Sequence, residues 1–183
     1  SNSLGSAKIL TLIWKFSIPA IIGMLVNALY NVIDRIFIGQ GVGKTALAGL
    51  AITFPISTII MAFGMLVGIG AATLVSIKLG EKNKYEAEQI LGTAVFLDIV
   101  ISISISILGI IFINPILKIF GASSESLPYA REYIIIILAG AVFQNIGFGI
   151  NNIIRSEGNP KVAMRTMIVG GLLNMLLDPI FIF

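Results

Sequence analysis

Charge is missing from long stretches of this chain. Residues 16–33, 45–77, 99–117 and 133–154 contain no charged side chain, and a fifth apolar stretch from Met167 to Phe183 is broken only by Asp178. A helix needs about 20 apolar residues to cross the hydrocarbon of a bilayer. A segment in lipid must also satisfy its own backbone hydrogen bonds, which makes helix the natural conformation. The spacing therefore predicts an all-α, polytopic membrane protein with five transmembrane helices, over about 12–38, 46–78, 88–113, 129–154 and 160–183. Composition agrees: 57% of residues are hydrophobic and 11% charged, against about 25% charged in an ordinary soluble domain.

The same composition removes several functions. With no Cys and no His, thiol chemistry, disulfides, His-centred metal sites and imidazole catalysis are excluded. An enzyme fits poorly, since no nucleophile–base or metal cluster stands in the sequence. The net charge of +3 lies in loops and forms no basic stripe interleaved with aromatics, so no nucleic-acid partner is expected. Residues 1–8 are a short tail without a secretory cleavage pattern, and 9–183 form one transmembrane unit.

Loop chemistry marks the helix ends. Lys78 and Gly80 suit a C-terminus, and Glu86 and Glu88 suit the first turn of the next helix. Asn159 reads as a cap with Pro160 at the first helical position. Residues 114–128 are long for a turn and leave room for a short helix in the membrane interface, with Ser126 and Pro128 opening the fourth span. With the N-terminus inside, cytoplasmic segments hold Lys8, Lys15, Lys78, Lys82, Lys84, Arg155, Lys161 and Arg165, against Arg35, Lys44, Lys118 and Arg131 outside. The positive-inside rule thus places the N-terminus in the cytoplasm of a multi-pass cell-membrane protein, expected in a bacterial inner membrane.

Polar residues within the spans carry the functional signal. Counting at about 1.5 Å per residue, Asp34 in the first span and Asp178 in the fifth both lie about 27 Å up from the cytoplasmic side. Asn174 is one turn before Asp178, and Asn27, Asn31 and Asp34 make a stripe on the first span. The fourth span adds Gln144 and Asn151, with Asn145 and Asn152 one step round. A buried Asp costs about 2.5–3.5 kcal/mol on insertion scales, and intramembrane acids tend to mark ion pathways. Asp34, Asn174 and Asp178 are the candidate coupling-ion ligands, and Asn27, Asn31, Gln144 and Asn151 the candidate cavity-lining residues. The plainer alternative makes Asp178 the cap of a helix restarting after Pro179 and leaves Asp34 at the headgroup boundary.

The remaining polar and breaking residues read as structural. Asp98, with Ser102 one turn on, suits a cavity wall. Arg35 is expected to snorkel outward, and Pro19 and Pro55 to kink or loosen their helices. Gly64, Gly68 and Gly70 permit close helix packing. Ser102, Ser104 and Ser106 can return hydrogen bonds to their own helix and carry no inference.

The stretches SIPAIIGMLVNALYNVIDRIFIGQGVG, ALAGLAITFPI, GAATLVSIKLGEKN and RSEGNPKVAMRTMIVGGLLNMLLDPIFIF resemble the N-terminal lobe of multidrug and toxic compound extrusion (MATE) transporters, part of a wider flippase superfamily. The last stretch is the most specific, with its Arg–Ser–Glu–Gly turn, Asn174 and the Asp178–Pro179 pair. The resemblance implies a twelve-helix fold in two six-helix lobes, of which this chain is most of one. It also implies exchange of organic cations or drugs for protons or sodium, with no other cofactor, and a coupling-ion site at Asp34, Asn174 and Asp178. The chain lacks a sixth span and a C-terminal lobe, so the piece alone is expected to be inactive. A flippase of lipid-linked oligosaccharides would need a basic cavity, whereas Lys and Arg here lie almost entirely in loops. A non-transporting scaffold would tolerate loss of both acids.

Overall fold

The computed structural model describes residues 8–182. Six helices follow one another: α1 (Ile9–Gly41), α2 (Lys44–Gly80), α3 (Lys84–Ile111), α4 (Ile113–Ile119), α5 (Leu127–Ser156) and α6 (Pro160–Ile182). All but α4 are long and apolar enough to cross a membrane, so the chain is a five-span helical bundle with no strand among the described residues. At 37 residues, α2 is about 55 Å long, well beyond the ~30 Å hydrocarbon layer. Such a helix tilts or projects from the membrane.

Helix ends follow local chemistry. Lys78, in the last turn of α2, pairs with Glu81 at 3.0 Å and with Glu86 of α3 at 2.8 Å, clamping the connection. The Asn83 side chain caps α3 by accepting from the Glu86 amide at 3.2 Å. Glu88 pairs instead with Lys84, at 3.6 Å. Before α5, Ser123 and Ser126 form a reciprocal clasp, each backbone amide donating to the other's hydroxyl at 3.0 and 3.2 Å. The expected short helix is α4, and its apolar side is buried against α5 through Ile113 and Leu117. The prolines do not end their helices: Pro19, Pro55 and Pro179 all lie inside α1, α2 and α6. Since α6 runs through Pro179, Asp178 caps no restarted helix.

Packing is organised around α2 and α5. In lipid, apolar burial drives helix association weakly and close van der Waals contact matters more, which favours small residues at interfaces. A methyl group added at Gly49 would lie 3.0 Å from the Ala130 amide nitrogen, one at Gly64 2.6 Å from Asn145 Cγ, and one at Gly68 2.7 Å from Gly149 Cα. The pairs advance together with unchanged register, so the two helices run parallel in near-backbone contact. Gly70 has open space around its Cα; two residues past Gly68, it has turned off the seam. One apolar cluster, including Ile60, Leu117, Ile134 and Leu138, joins α2, α4 and α5, and a second, including Ala71, Val75, Ala94 and Ile153, joins α2, α3 and α5.

Helices α1 and α6 make a separate, parallel pair with reciprocal notches. A methyl at Gly23 would lie 2.8 Å from Met167 Sδ, and one at Gly171 2.8 Å from Val26 Cγ1. Outside this seam both helices present apolar side chains outward, among them Leu25, Leu29, Leu173 and Leu176.

Candidate ion-binding site

The α1–α6 pairing sets the level of the two acids. Eleven residues beyond Gly23 and Met167 stand Asp34 and Asp178, and equal helical rise along parallel helices keeps them abreast. The carboxylates are half-buried and within electrostatic reach of each other, and Asp34 is also within reach of Arg35. Asn174 Nδ2 donates to Asp178 Oδ1 at 3.2 Å. That bond leaves Asn174 Oδ1 and Asp178 Oδ2 buried without a donor. Two oxygens from adjacent turns, beside a second carboxylate, form a patch rich in acceptors. Such a patch is suited to a proton or a bare cation.

Two tyrosines complete this cluster, and neither stood among the sequence candidates. Tyr133, from the first turns of α5, lies within electrostatic reach of Asp34, Tyr30, Arg35 and Asp178. The Tyr30 hydroxyl accepts from Asn27 Nδ2 at 3.2 Å. Tyr30 is one turn before Asp34, a signal readable in the sequence; Tyr133 carried none, because its approach depends on how α5 crosses the pair. Arg35 is exposed, and its guanidinium sits 5.3 Å over the ring centroid of Phe54 on α2. It is thus held by a cation–π contact as well as by solvent.

The amide stripes divide between different places. On α1, Asn31 Nδ2 donates to the Asn27 backbone oxygen at 2.8 Å and to Asn27 Oδ1 at 3.2 Å, an arrangement confined to its own helix. On α5, Gln144 is half-buried. Asn151 Nδ2 donates at 2.9 Å to both the Ala163 carbonyl and Thr166 Oγ1 of α6, and its Oδ1 accepts from Arg155 at 3.1 Å. Asn151 therefore ties α5 to α6 near Thr166, about 18 Å along α6 from Asp178. Asn152 donates back to the Phe148 carbonyl of its own helix at 3.0 Å.

The serines of α3 divide between their own helix and α5. Ser104 does return its bond to Val100, at 2.7 Å, but Ser106 donates across to the Leu138 carbonyl of α5 at 2.6 Å. Ser102 accepts from Asn145 of α5 at 2.9 Å. The cause is the approach of α5, close enough for short hydroxyls to reach a second backbone.

A bundle of membrane-crossing helices with two abreast intramembrane acids on its first and last members defines a multi-pass membrane protein of the transporter type. The chain belongs to the MatE family, whose signature matches residues 19–180. The multidrug export protein MepA of Staphylococcus haemolyticus is 30% identical over 92% of this chain and 37% of its own length. An FAD transporter of Shewanella oneidensis is 32% identical over 100% of this chain and 40% of its own. Among solved structures, the MATE multidrug transporter DinF-BH superposes with a TM-score of 0.90 at 46% identity, covering 98% of this chain and 40% of that one. The chain thus spans about two fifths of the length of these relatives.

Proposed function

We propose that this chain forms the N-terminal lobe of a secondary antiporter that exports organic cations or drugs in exchange for protons or sodium ions, working with a second helical lobe. Asp34, Asn174 and Asp178 bind the coupling ion. The observation that carries this reading is the pair of buried, donor-less oxygens on Asn174 and Asp178 beside a second carboxylate. Occupancy by a proton or sodium neutralises the repulsion between the acids and changes how α1 and α6 sit together, displacing cargo from an adjacent cavity. The energetics suffice. One charge moved through 100 mV yields about 2.3 kcal/mol, each pH unit about 1.4 kcal/mol, and a tenfold shift between inward- and outward-facing states needs about 1.4 kcal/mol.

The FAD transporter relative raises a second reading, an anionic cargo. Against it stands the acidic character of the α1–α6 face. Both readings are tested by ethidium and FAD efflux from energised bacteria producing the chain in its full-length context, with the proton or the sodium gradient collapsed in turn. Ethidium efflux that Asp178→Asn abolishes at equal membrane expression supports the antiporter and names its ion. Normal ethidium efflux by that variant sinks the assignment of the site, and gradient-driven FAD efflux alone transfers the reading to the anion.

A further inference from the structure

A third intramembrane acid lies away from the α1–α6 face, where α2, α3 and α5 meet in two layers. In one layer the Asp98 carboxylate lies against Gly149, 2.8 Å from where a Cβ would stand, and Gly68 packs directly on Gly149, with Asn152 Nδ2 3.6 Å from where a Gly68 Cβ would stand. One turn away, Asn145 donates to Ser102 while Gly64 packs on the Asn145 amide. Asp98 is 4% exposed, and Ser102 and Asn145 are fully buried. Hydrogen bonds and ion pairs among the described residues leave the Asp98 carboxylate without a partner. Asn145 Oδ1 is fully buried and also unpartnered. The unpartnered groups of the junction are thus the Asp98 carboxylate and Asn145 Oδ1, with the Ser102 hydroxyl bound only as an acceptor.

Charged groups along these helices are engaged elsewhere, the nearest being Arg155, about 9 Å along α5 from Gly149. On α2 the nearest is Lys78, bound to Glu81 and Glu86. On α3 it is Glu88, paired with Lys84. On α5, Tyr133 is more than four turns before Gly149, and Arg155 is turned to Asn151 and Met167 of α6. An isolated ionised carboxylate in such surroundings is too costly to persist. A proton removes the charge and turns one acceptor into a donor. Sodium, by contrast, favours five or more oxygens, more than Asp98, Asn145 and Ser102 supply between them.

We propose that Asp98, seated against Gly149 one turn from the Ser102–Asn145 bond, is a second proton-binding site of the lobe, separate from the Asp34–Asp178 cluster, and that its deprotonation opens the α3–α5 seam. The proposal does not depend on which ion, if any, the first cluster binds.

The test uses the full chain, which has no cysteine, reconstituted in liposomes with a single Ile105→Cys reporter on the α3 face packed against α5. Maleimide labelling is followed from neutral to alkaline pH, with Asp98 intact and with Asp98→Asn, the latter supplying the intrinsic pH response of the thiol. The ratio of the two rates is expected to rise about tenfold per pH unit while Asp98 is mostly protonated, equally in sodium and in choline. In parallel, infrared spectra at neutral pH are expected to show a protonated-carboxyl band that Asp98→Asn removes and the Asp34→Asn, Asp178→Asn double variant retains. A flat ratio, or a band unaffected by Asp98→Asn, overturns the proposal. Protection by sodium at fixed pH overturns the proton in favour of a metal cation. Should Asp98→Asn fail to insert, Asp98→Glu must still shift the band, and an unmoved band is equally fatal.

Discussion

At the scale of single residues, the acids were visible in the sequence because charge is so rare within these spans. Their company was only partly visible. Asn174 is bonded to Asp178 one turn away, a spacing any helix dictates. Tyr133 comes from another helix, and no periodicity in one helix reports on its neighbour. Tyr133→Phe tests its part in the site: a phenol that serves the bound ion raises the concentration of coupling ion giving half-maximal efflux when removed, about tenfold for about 1.4 kcal/mol of lost interaction. An unchanged half-maximal concentration removes the phenol from the site. Asn151 was grouped with the amides by spacing, yet it is spent on the Ala163 carbonyl and Thr166. Ser102 and Ser106 passed as ordinary helix serines and are inter-helix ligands instead.

At the scale of elements, helix number and approximate extent follow from charge-free length, and the described helices extend a few residues past most of the apolar spans into the polar loops. Pairing was not legible, because apolar stripes in lipid look alike on every side. Glycine was a partial guide: Gly64 and Gly68 lie on the α2–α5 seam, whereas Gly70 does not. Gly68→Leu, which would drive a branched side chain into Gly149, is expected to cost at least about 1–3 kcal/mol by overpacking, read as a lower unfolding midpoint in mild detergent; Gly70→Leu should leave the midpoint nearly unchanged. Equal effects at the two positions would contradict the seam. The α5–α6 tie is weaker. Asn151→Ala is expected to cost about 0.6 kcal/mol, typical of a hydrogen bond between membrane helices, and to raise amide hydrogen exchange around Ala163 and Thr166 while sparing the α2–α5 core.

At the scale of the whole molecule, two units emerge: a close-packed group of α2, α3, α4 and α5, and the α1–α6 pair carrying the two abreast acids. The outward apolar faces of α1 and α6 are coverable by lipid or by further helices, consistent with a chain spanning about two fifths of its relatives. The unbroken register from Gly49 to Gly68 has a consequence for which changes this family member can accumulate. A parallel pair held at backbone distance tolerates no side chain at its contact points, however apolar, while positions two residues off the seam accept nearly any lipid-soluble one. A library of all single substitutions, sorted for membrane abundance, should therefore lose variants at 64 and 68 and keep them at 66 and 70. Hydrophobicity would predict no such difference; the lost variants would trace the line along which α5 lies.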